Sequence, residues 1–491
     1  MVKNIGKLLD KLLDKYKQAP VQLRASFWFL VCAFLQKGIS FITTPIFTRL
    51  MSTAEYGQFG TFNSWLSILT GLVTLNLYYG VYSTGLVKFE DERKTFSSSL
   101  QGLTLTLLVA WTLVYLFFQD IWNEHSGLTT IQMIFMFQMM WSTAAFNFWS
   151  MEQRIDFKYK KLVLLTIVVS IAKPILGILL VGNAEDKVTA RIFGLAIVEL
   201  CSYSFCFFSQ MVRGKKFFSA KFWKHALAFN IPLVPHYLAN SVLSGADRIM
   251  ISSMVGESEA GIYNLAYSIS MVMTMFNTAL IQTIEPWLYK KIKQRKIDDI
   301  SHLAYPVFIF IALVNLILIA FAPEAVILFA PEEYYEAIYV IPPVTMSVFF
   351  MFSYTFFAVF EFYYEKTKLI AFSTCMGAVL NVVLNYIFID IFGYYAAGYT
   401  TLVCYIVYVA FHYHFARNIC KEKLDNAQPC NLKIYLTIAG IFIVLGFLFL
   451  ATYENWILRY ALIIVLIIIA FVRRKDLEKF AKQIFAAREK A

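Results

Sequence analysis

The chain has 491 residues, of which 59% are apolar and 15% charged, with a formal net charge of +11 and a mean hydropathy of +0.62. A soluble globular chain is about half apolar and about a quarter charged, so the composition excludes that class. The excess sits in long continuous apolar blocks rather than alternating ones, which reads as membrane-spanning helices and not as strands of a barrel.

In chain order, residues 1–24 come first. Ile5, Leu8, Leu9, Leu12, Leu13 and Tyr16 recur at helical spacing, with Lys3, Lys7, Lys11 and Lys15 elsewhere on the wheel. This predicts an amphipathic helix lying on the cytoplasmic surface, not a cleaved signal peptide. A first block, 25–211, holds six predicted spans at 25–48, 58–85, 98–118, 128–150, 162–181 and 191–211. A cytoplasmic linker, 212–224, leads to a second block, 225–416, with spans at 225–251, 261–288, 301–322, 338–360, 369–389 and 395–416. Residues 417–472 hold a loop and a closing pair of spans, 434–451 and 456–472. Residues 473–491 form a second amphipathic segment, a cytoplasmic tail with Leu477, Phe480, Ala481, Ile484 and Phe485 on one face. The expected fold is therefore all-α and polytopic, with about fourteen transmembrane helices in two six-helix lobes plus a C-terminal pair. The longest outer loop, Pro323–Ala337, is too short for a soluble domain.

Charge sets the orientation. With the N-terminus in the cytoplasm, 36 of the 43 Lys and Arg fall in cytoplasmic segments. Four lie in the outer segments or at the outer ends of spans, namely Arg49, Lys187, Arg191 and Arg459, and three lie in span interiors. That asymmetry follows the positive-inside rule and places both termini in the cytoplasm. The basic excess is read as contact with anionic inner-leaflet lipid, not nucleic acid. The seven cysteines show no metal-ligand spacing and read as buried thiols.

An internal repeat is visible. Glu55-Tyr-Gly-Gln-Phe59 and Glu259-Ala-Gly-Ile-Tyr263 are offset by 204 residues, each after the first span of its block. Six spans apart means the same direction through the membrane, so the blocks are parallel repeats.

The few charges within the spans are the functional candidates, because ionisable groups in a bilayer are expensive. Lys37 is central to the first span, on a polar stripe with Ser40, Thr44 and Thr48. Lys173, followed by Pro174, and Glu199 sit in the middle of the fifth and sixth spans. In the seventh span His236, Asn240, Ser244 and Asp247 fall within about 80° of one another on a helical wheel, and Arg248 adjoins them. Lys37, Lys173 and Arg248 together would make a cationic cavity suited to a phosphate. Glu199, Asp247 and His236 are candidates for ion pairing or proton coupling, and Thr44, Asn240 and Ser244 for polar lining. The bland alternative for each is an interhelical contact, with Glu199 pairing to Lys173 or Lys37. No metal or catalytic site is expected, and the sequence carries no phosphate-binding G-x-x-x-x-G-K-[ST] motif.

The stretch from Lys37-Gly-Ile-Ser-Phe-Ile-Thr-Thr-Pro45 through Glu55-Tyr-Gly57 resembles the opening of Wzx-type polysaccharide flippases. Asn230-Ile-Pro-Leu-Val-Pro-His236, Gly245-Ala-Asp-Arg248 and Gly261-Ile-Tyr-Asn-Leu-Ala-Tyr267 resemble the start of their second half. That family belongs to the multidrug, oligosaccharidyl-lipid and polysaccharide exporter superfamily. The resemblance implies alternating access by two lobes in the bacterial cytoplasmic membrane. It also implies an undecaprenyl-pyrophosphate-linked oligosaccharide as cargo, for O-antigen, capsule or exopolysaccharide assembly. A polysaccharide polymerase and a chain-length regulator are the partners it implies. No cofactor is implied, and coupling to an H+ or Na+ gradient or to the membrane potential stays open. Two alternatives remain at this point: a cation-coupled multidrug exporter on the same fold, and a polytopic glycosyltransferase or polymerase.

Overall fold

A computed structural model describes residues 20–472, and among them the chain is helical throughout with no strand. The predicted amphipathic segments at residues 1–19 and 473–491 lie outside the described residues. In chain order the first helices are α1 (Val21–Leu50), α2 (Thr53–Val73), α3 (Val81–Lys88), α4 (Arg93–Phe117), α5 (Gln119–Ser126), α6 (Thr130–Ile155), α7 (Tyr159–Val181) and α8 (Lys187–Gly214). They are followed by α9 (Ala220–Asn230), α10 (Val234–Met254), α11 (Glu257–Met271), α12 (Met273–Lys293), α13 (Ile297–Ala320) and α14 (Ala322–Phe329). The chain closes with α15 (Ile341–Tyr363), α16 (Thr367–Phe392), α17 (Tyr395–Lys423), α18 (Leu432–Ala451) and α19 (Trp456–Val472).

Local sequence explains several of the boundaries. Thr129 caps α6 in a reciprocal box, its side chain accepting from the Gln132 amide while Gln132 accepts from the Thr129 amide. Asp186 caps α8 by accepting from the Thr189 amide at 2.9 Å. Gly127, at φ 68°, ends α5 in a left-handed conformation that costs glycine little.

Among the described residues, nine helical stretches are long and apolar enough to cross a membrane. They coincide with nine of the spans expected from sequence. The other five expected spans fall on α2–α3, α6, α9–α10, α17 and α19. Two of these are broken where a continuous helix was expected. The 58–85 stretch stops at Val73 and resumes at Val81, with Leu75 and Asn76 at positive φ between them. The 225–251 stretch passes through a 3-10 turn at Ile231–Leu233, where Pro232 lacks an amide donor. α6, α10 and α17 are helical as expected but carry polar residues that lower their apolarity, and α19 has 17 residues. The Pro323–Ala337 stretch, expected as an outer loop, is not irregular either: it folds as α14 and a 3-10 turn at Glu332–Tyr339. The protein is thus an all-α, polytopic membrane protein.

The chain divides into two compact units. The first comprises the residues up to Ile46 and Leu69–Val234, and the second Phe47–Ile68 and the residues from Pro235 onward. In the first unit, Leu77, Tyr82, Phe96, Leu100, Phe148 and Phe222 form a buried cluster. The ring of Phe148 meets that of Tyr82 edge-on at 4.7 Å. Beside it runs a buried polar chain: the Gln101 amide donates to Gln210 Oε1 at 2.8 Å, and Gln210 donates to Glu152 Oε2 at 2.9 Å. The second unit is centred on Phe308, which packs against Phe349, Phe352, Phe356, Phe357 and Tyr435.

Within the second unit the two repeat motifs meet. A Cβ on Gly57 would lie 1.9 Å from the Glu257 carbonyl oxygen, and one on Gly261 would lie 2.0 Å from that of Thr53. Thr53 and Glu257 are themselves 204 residues apart, as are Gly57 and Gly261, so the contact is reciprocal. Each helix lays its glycine on the backbone of the other, as in close small-residue crossings of membrane helices. Thr53 hydrogen-bonds Ser258, and Gln58 Nε2 donates to Glu257 Oε2 at 2.6 Å. Gly57→Ala should therefore lower the thermal midpoint of detergent-purified protein, with an overpacking cost of about 1–3 kcal/mol. Gly38→Ala, whose Cβ would meet nothing within 4 Å, should leave the midpoint unchanged or raise it, since alanine is the better helix former by about 0.5–1 kcal/mol. Equal effects of the two substitutions would contradict the crossing.

Candidate functional site

The first unit contains Lys37, Thr44, Lys173 and Glu199. Lys173 reaches from α7 to α8, where its Nζ stands 2.6 Å from Glu199 Oε1. The second Glu199 oxygen accepts from Thr143 Oγ1 of α6 at 3.1 Å. Glu199 is buried, whereas about a quarter of the Lys173 side chain is exposed (27%). The pair is neutral overall and ties three helices together, which is how a buried carboxylate is tolerated in lipid. Lys37 is exposed on α1 and has no ionic or hydrogen-bonding partner among the described residues. Thr44 is buried one turn before Thr48, its Oγ1 donating to the Ser40 carbonyl at 3.1 Å.

The second unit contains His236, Asn240, Ser244, Asp247 and Arg248, all on α10. Asp247 is buried and accepts three hydrogen bonds: from Tyr263 Oη at 2.7 Å, Asn385 Nδ2 at 2.6 Å and Thr401 Oγ1 at 3.0 Å. Successive residues on a helix point about 100° apart, and Arg248 accordingly turns to different partners. Its guanidinium lies 4.3 Å over the ring of Tyr267 and donates to the Ser244 carbonyl and, at 3.4 Å, to Asn264 Oδ1. It makes no salt bridge among the described residues; besides the electrostatic influence of the adjoining Asp247 carboxylate, its direct contacts are a π face and two neutral oxygens. Ser244 donates to the Asn240 carbonyl at 2.9 Å, and Asn240 is exposed. His236 is half-buried, with its Nδ1 enclosed and without a hydrogen-bond partner among the described residues.

The candidates therefore divide by environment. Glu199 and Asp247 are carboxylates with full complements of donors, and Lys173 is balanced by Glu199. Lys37 and Arg248 are cations without an acidic partner, each within its own unit. Such cations can bind an anion without first breaking a salt bridge.

Sequence reasoning missed two buried polar groups. Glu361 and His412 are fully buried and meet at 2.6 Å through His412 Nδ1. Glu152 holds both terminal nitrogens of Arg213 at 2.9 Å. For the Glu361–His412 pair the signal was present as a charge within an apolar or aromatic run, Val359-Phe-Glu-Phe-Tyr363 and Phe411-His-Tyr-His414. Glu336, a carboxylate in the Pro323–Ala337 stretch, accepts from Tyr394 at 2.6 Å and Tyr395 at 2.7 Å. Those two hydroxyls hold its carboxyl below the usual range, the opposite of what a general acid needs.

The Lys173–Glu199 pair makes a direct prediction. Glu199→Gln alone should destabilise the protein by roughly 3 kcal/mol, because it strands a lysine among apolar helices. Adding Lys173→Met should restore most of the loss, which a double-mutant cycle on thermal midpoints would read. Additive losses would show that the two side chains do not depend on each other.

Comparisons with known proteins bear on what these groups serve. Residues 23–292 match the family described as polysaccharide biosynthesis protein, and residues 232–387 match the MatE family. A protein of the Lsg locus of Haemophilus influenzae is 22% identical over 384 residues, covering 72% of this chain and 88% of that protein. Among solved structures, the lipid II flippase MurJ in an inward closed conformation aligns with a TM-score of 0.63 at 14% identity. The alignment covers 91% of this chain and 98% of that one. An inward-facing multidrug resistance MATE family transporter of the MOP superfamily aligns with a TM-score of 0.57 at 14% identity, over 82% and 99% of the two chains. With the family matched over more than half its length, this chain belongs to the polysaccharide biosynthesis protein family, on the fold of the MOP-superfamily flippases and transporters.

Proposed function

We propose that this protein is a flippase that carries a lipid-linked oligosaccharide, borne on undecaprenyl pyrophosphate, from the inner to the outer leaflet of the bacterial cytoplasmic membrane. The repeat unit would feed O-antigen, capsule or exopolysaccharide assembly, with a polysaccharide polymerase and a chain-length regulator acting next. The single observation that carries this reading is the family match over residues 23–292. The distribution of Lys and Arg supports cytoplasmic placement of both termini.

The chemistry of the cargo suits the cations. A diphosphate needs positive groups that bind it without trapping it, and Lys37 and Arg248 are assigned that role. Lys173 is assigned to a second step: it becomes available to an anion only when Glu199 is protonated, so this pair is the proposed coupling element. Asp247, already saturated by three donors, is assigned to holding α10, α11, α16 and α17 together. His236 stands as an alternative proton carrier through its unpartnered Nδ1. With an inside-negative potential, each negative charge moved outward gains about 2.3 kcal/mol per 100 mV, so the potential itself favours export.

A second reading, a multidrug exporter, is favoured by the MatE match over residues 232–387. Deleting the gene separates the two. The flippase reading expects lipid-linked oligosaccharide to accumulate in the inner leaflet with drug susceptibility unchanged, and the exporter reading expects the reverse. Lys37→Ala should slow flipping about tenfold, the value of losing one charge-assisted contact. Undiminished flipping would remove the cationic role. Flipping should also quicken as the inside-negative potential is raised, and a voltage-independent rate would contradict the electrical contribution.

A further inference from the structure

The first unit carries a cavity that the cargo mechanism does not use. It lies where α1 begins, α6 ends, α7 begins and α8 ends, and its volume is about 700 Å³. Five basic side chains line it, Arg24, Lys158, Lys160, Lys161 and Arg213, against one carboxylate, Glu152. That carboxylate is already neutralised by both terminal nitrogens of Arg213 and by Gln210. Lys158 is likewise balanced, at 2.8 Å from Asp156, whose carboxyl also meets Arg93. Burial alone would raise the Asp156 pKa, but Lys158 and Arg93 outweigh it and hold the carboxyl below its usual range, so the bridge persists at neutral pH.

Lys160 and Lys161 are left. Both are exposed, and neither has an acidic partner among the described residues. With Arg24 set aside, Lys160 and Lys161 alone leave the cavity net positive. The rest of its wall combines the rings of Trp149, Phe157 and Phe205 with Val21 and the polar Gln153, Tyr159 and Ser209. Cations beside aromatic and apolar surface at the ends of membrane helices match an amphiphile, with a phosphate at the lysines and chains along the rings. A nucleic acid or free anion would need only the first of these features.

We propose that this cavity is a binding site for the phosphate headgroup of an anionic membrane lipid, with Lys160 and Lys161 as its principal ligands and Trp149 and Phe205 against the chains. The assignment stands independently of what cargo the protein carries.

The test uses the full-length protein in detergent, with native mass spectrometry and Trp fluorescence as readouts. Phosphatidylglycerol should be retained at one molecule per chain, whereas phosphatidylcholine should not. Lys160→Ala with Lys161→Ala should weaken phosphatidylglycerol binding by about tenfold or more while leaving the thermal midpoint unchanged, as both side chains are exposed. Polyprenyl phosphate competing with phosphatidylglycerol in a Lys160- and Lys161-dependent way would support the site and extend it to the cargo's own carrier. Equal retention of the two phospholipids would overturn the proposal, as would unchanged affinity in the double variant. Complete displacement of the lipid by inorganic phosphate at equal concentration would overturn it in favour of a free-anion site.

Discussion

A carboxylate within a bilayer must be met by donors, and Asp247 is met by three, from Tyr263, Asn385 and Thr401. No water in the hydrocarbon region can substitute for them. The same requirement recurs wherever the chain places a charge among apolar helices. Glu199 has Lys173 and Thr143, Glu152 has Arg213 and Gln210, and Glu361 has His412 on one oxygen, its Oε2 and the His412 Nε2 lacking a partner among the described residues. Each of these groups joins separate helices, so a solvation demand becomes a tertiary constraint. The second unit adds a purely steric one, the reciprocal Gly57–Gly261 crossing, in which the repeat motifs approach backbone to backbone.

Against that background of carboxylates met by donors or cations, the cations without a salt bridge stand out. Lys37 and Arg248 have no carboxylate partner among the described residues, and Lys160 and Lys161 face a cavity with none to spare. A transporter of a charged amphiphile needs such groups. A fully paired cation has already spent its binding capacity on the protein, whereas an unpaired one can be compensated by a ligand.

The sequence carried the class plainly, because continuous apolar runs admit one structural solution in lipid. Its repeat was legible from two short motifs because both glycines are required by the same contact. Lys173 and Glu199 could be placed at mid-span, and their pairing was one of two options until the helices were set side by side. What was not legible was where a helix breaks without losing apolarity. The stretch 58–85 stays largely apolar across its break, where Asn76 and Gly80 are the sole turn-forming residues and Leu75 and Asn76 take positive φ. Polar helices were legible as spans only through context: α10 reads as marginal alone, yet its Asp247 and Arg248 are both met by neighbouring helices. The Glu361–His412 pair was hidden for a related reason. Its members are 51 residues apart, on two helices that only the fold brings together.

The account turns on whether this chain moves a lipid-linked oligosaccharide across a bilayer. The most direct measurement is the rate at which a headgroup-labelled undecaprenyl-pyrophosphate oligosaccharide becomes accessible to a membrane-impermeant quencher on the far side of proteoliposomes. The account predicts transfer well above that of protein-free vesicles, with a label on phosphatidylcholine left behind. Transfer no faster than in protein-free vesicles, from protein shown to be folded and inserted, would contradict it.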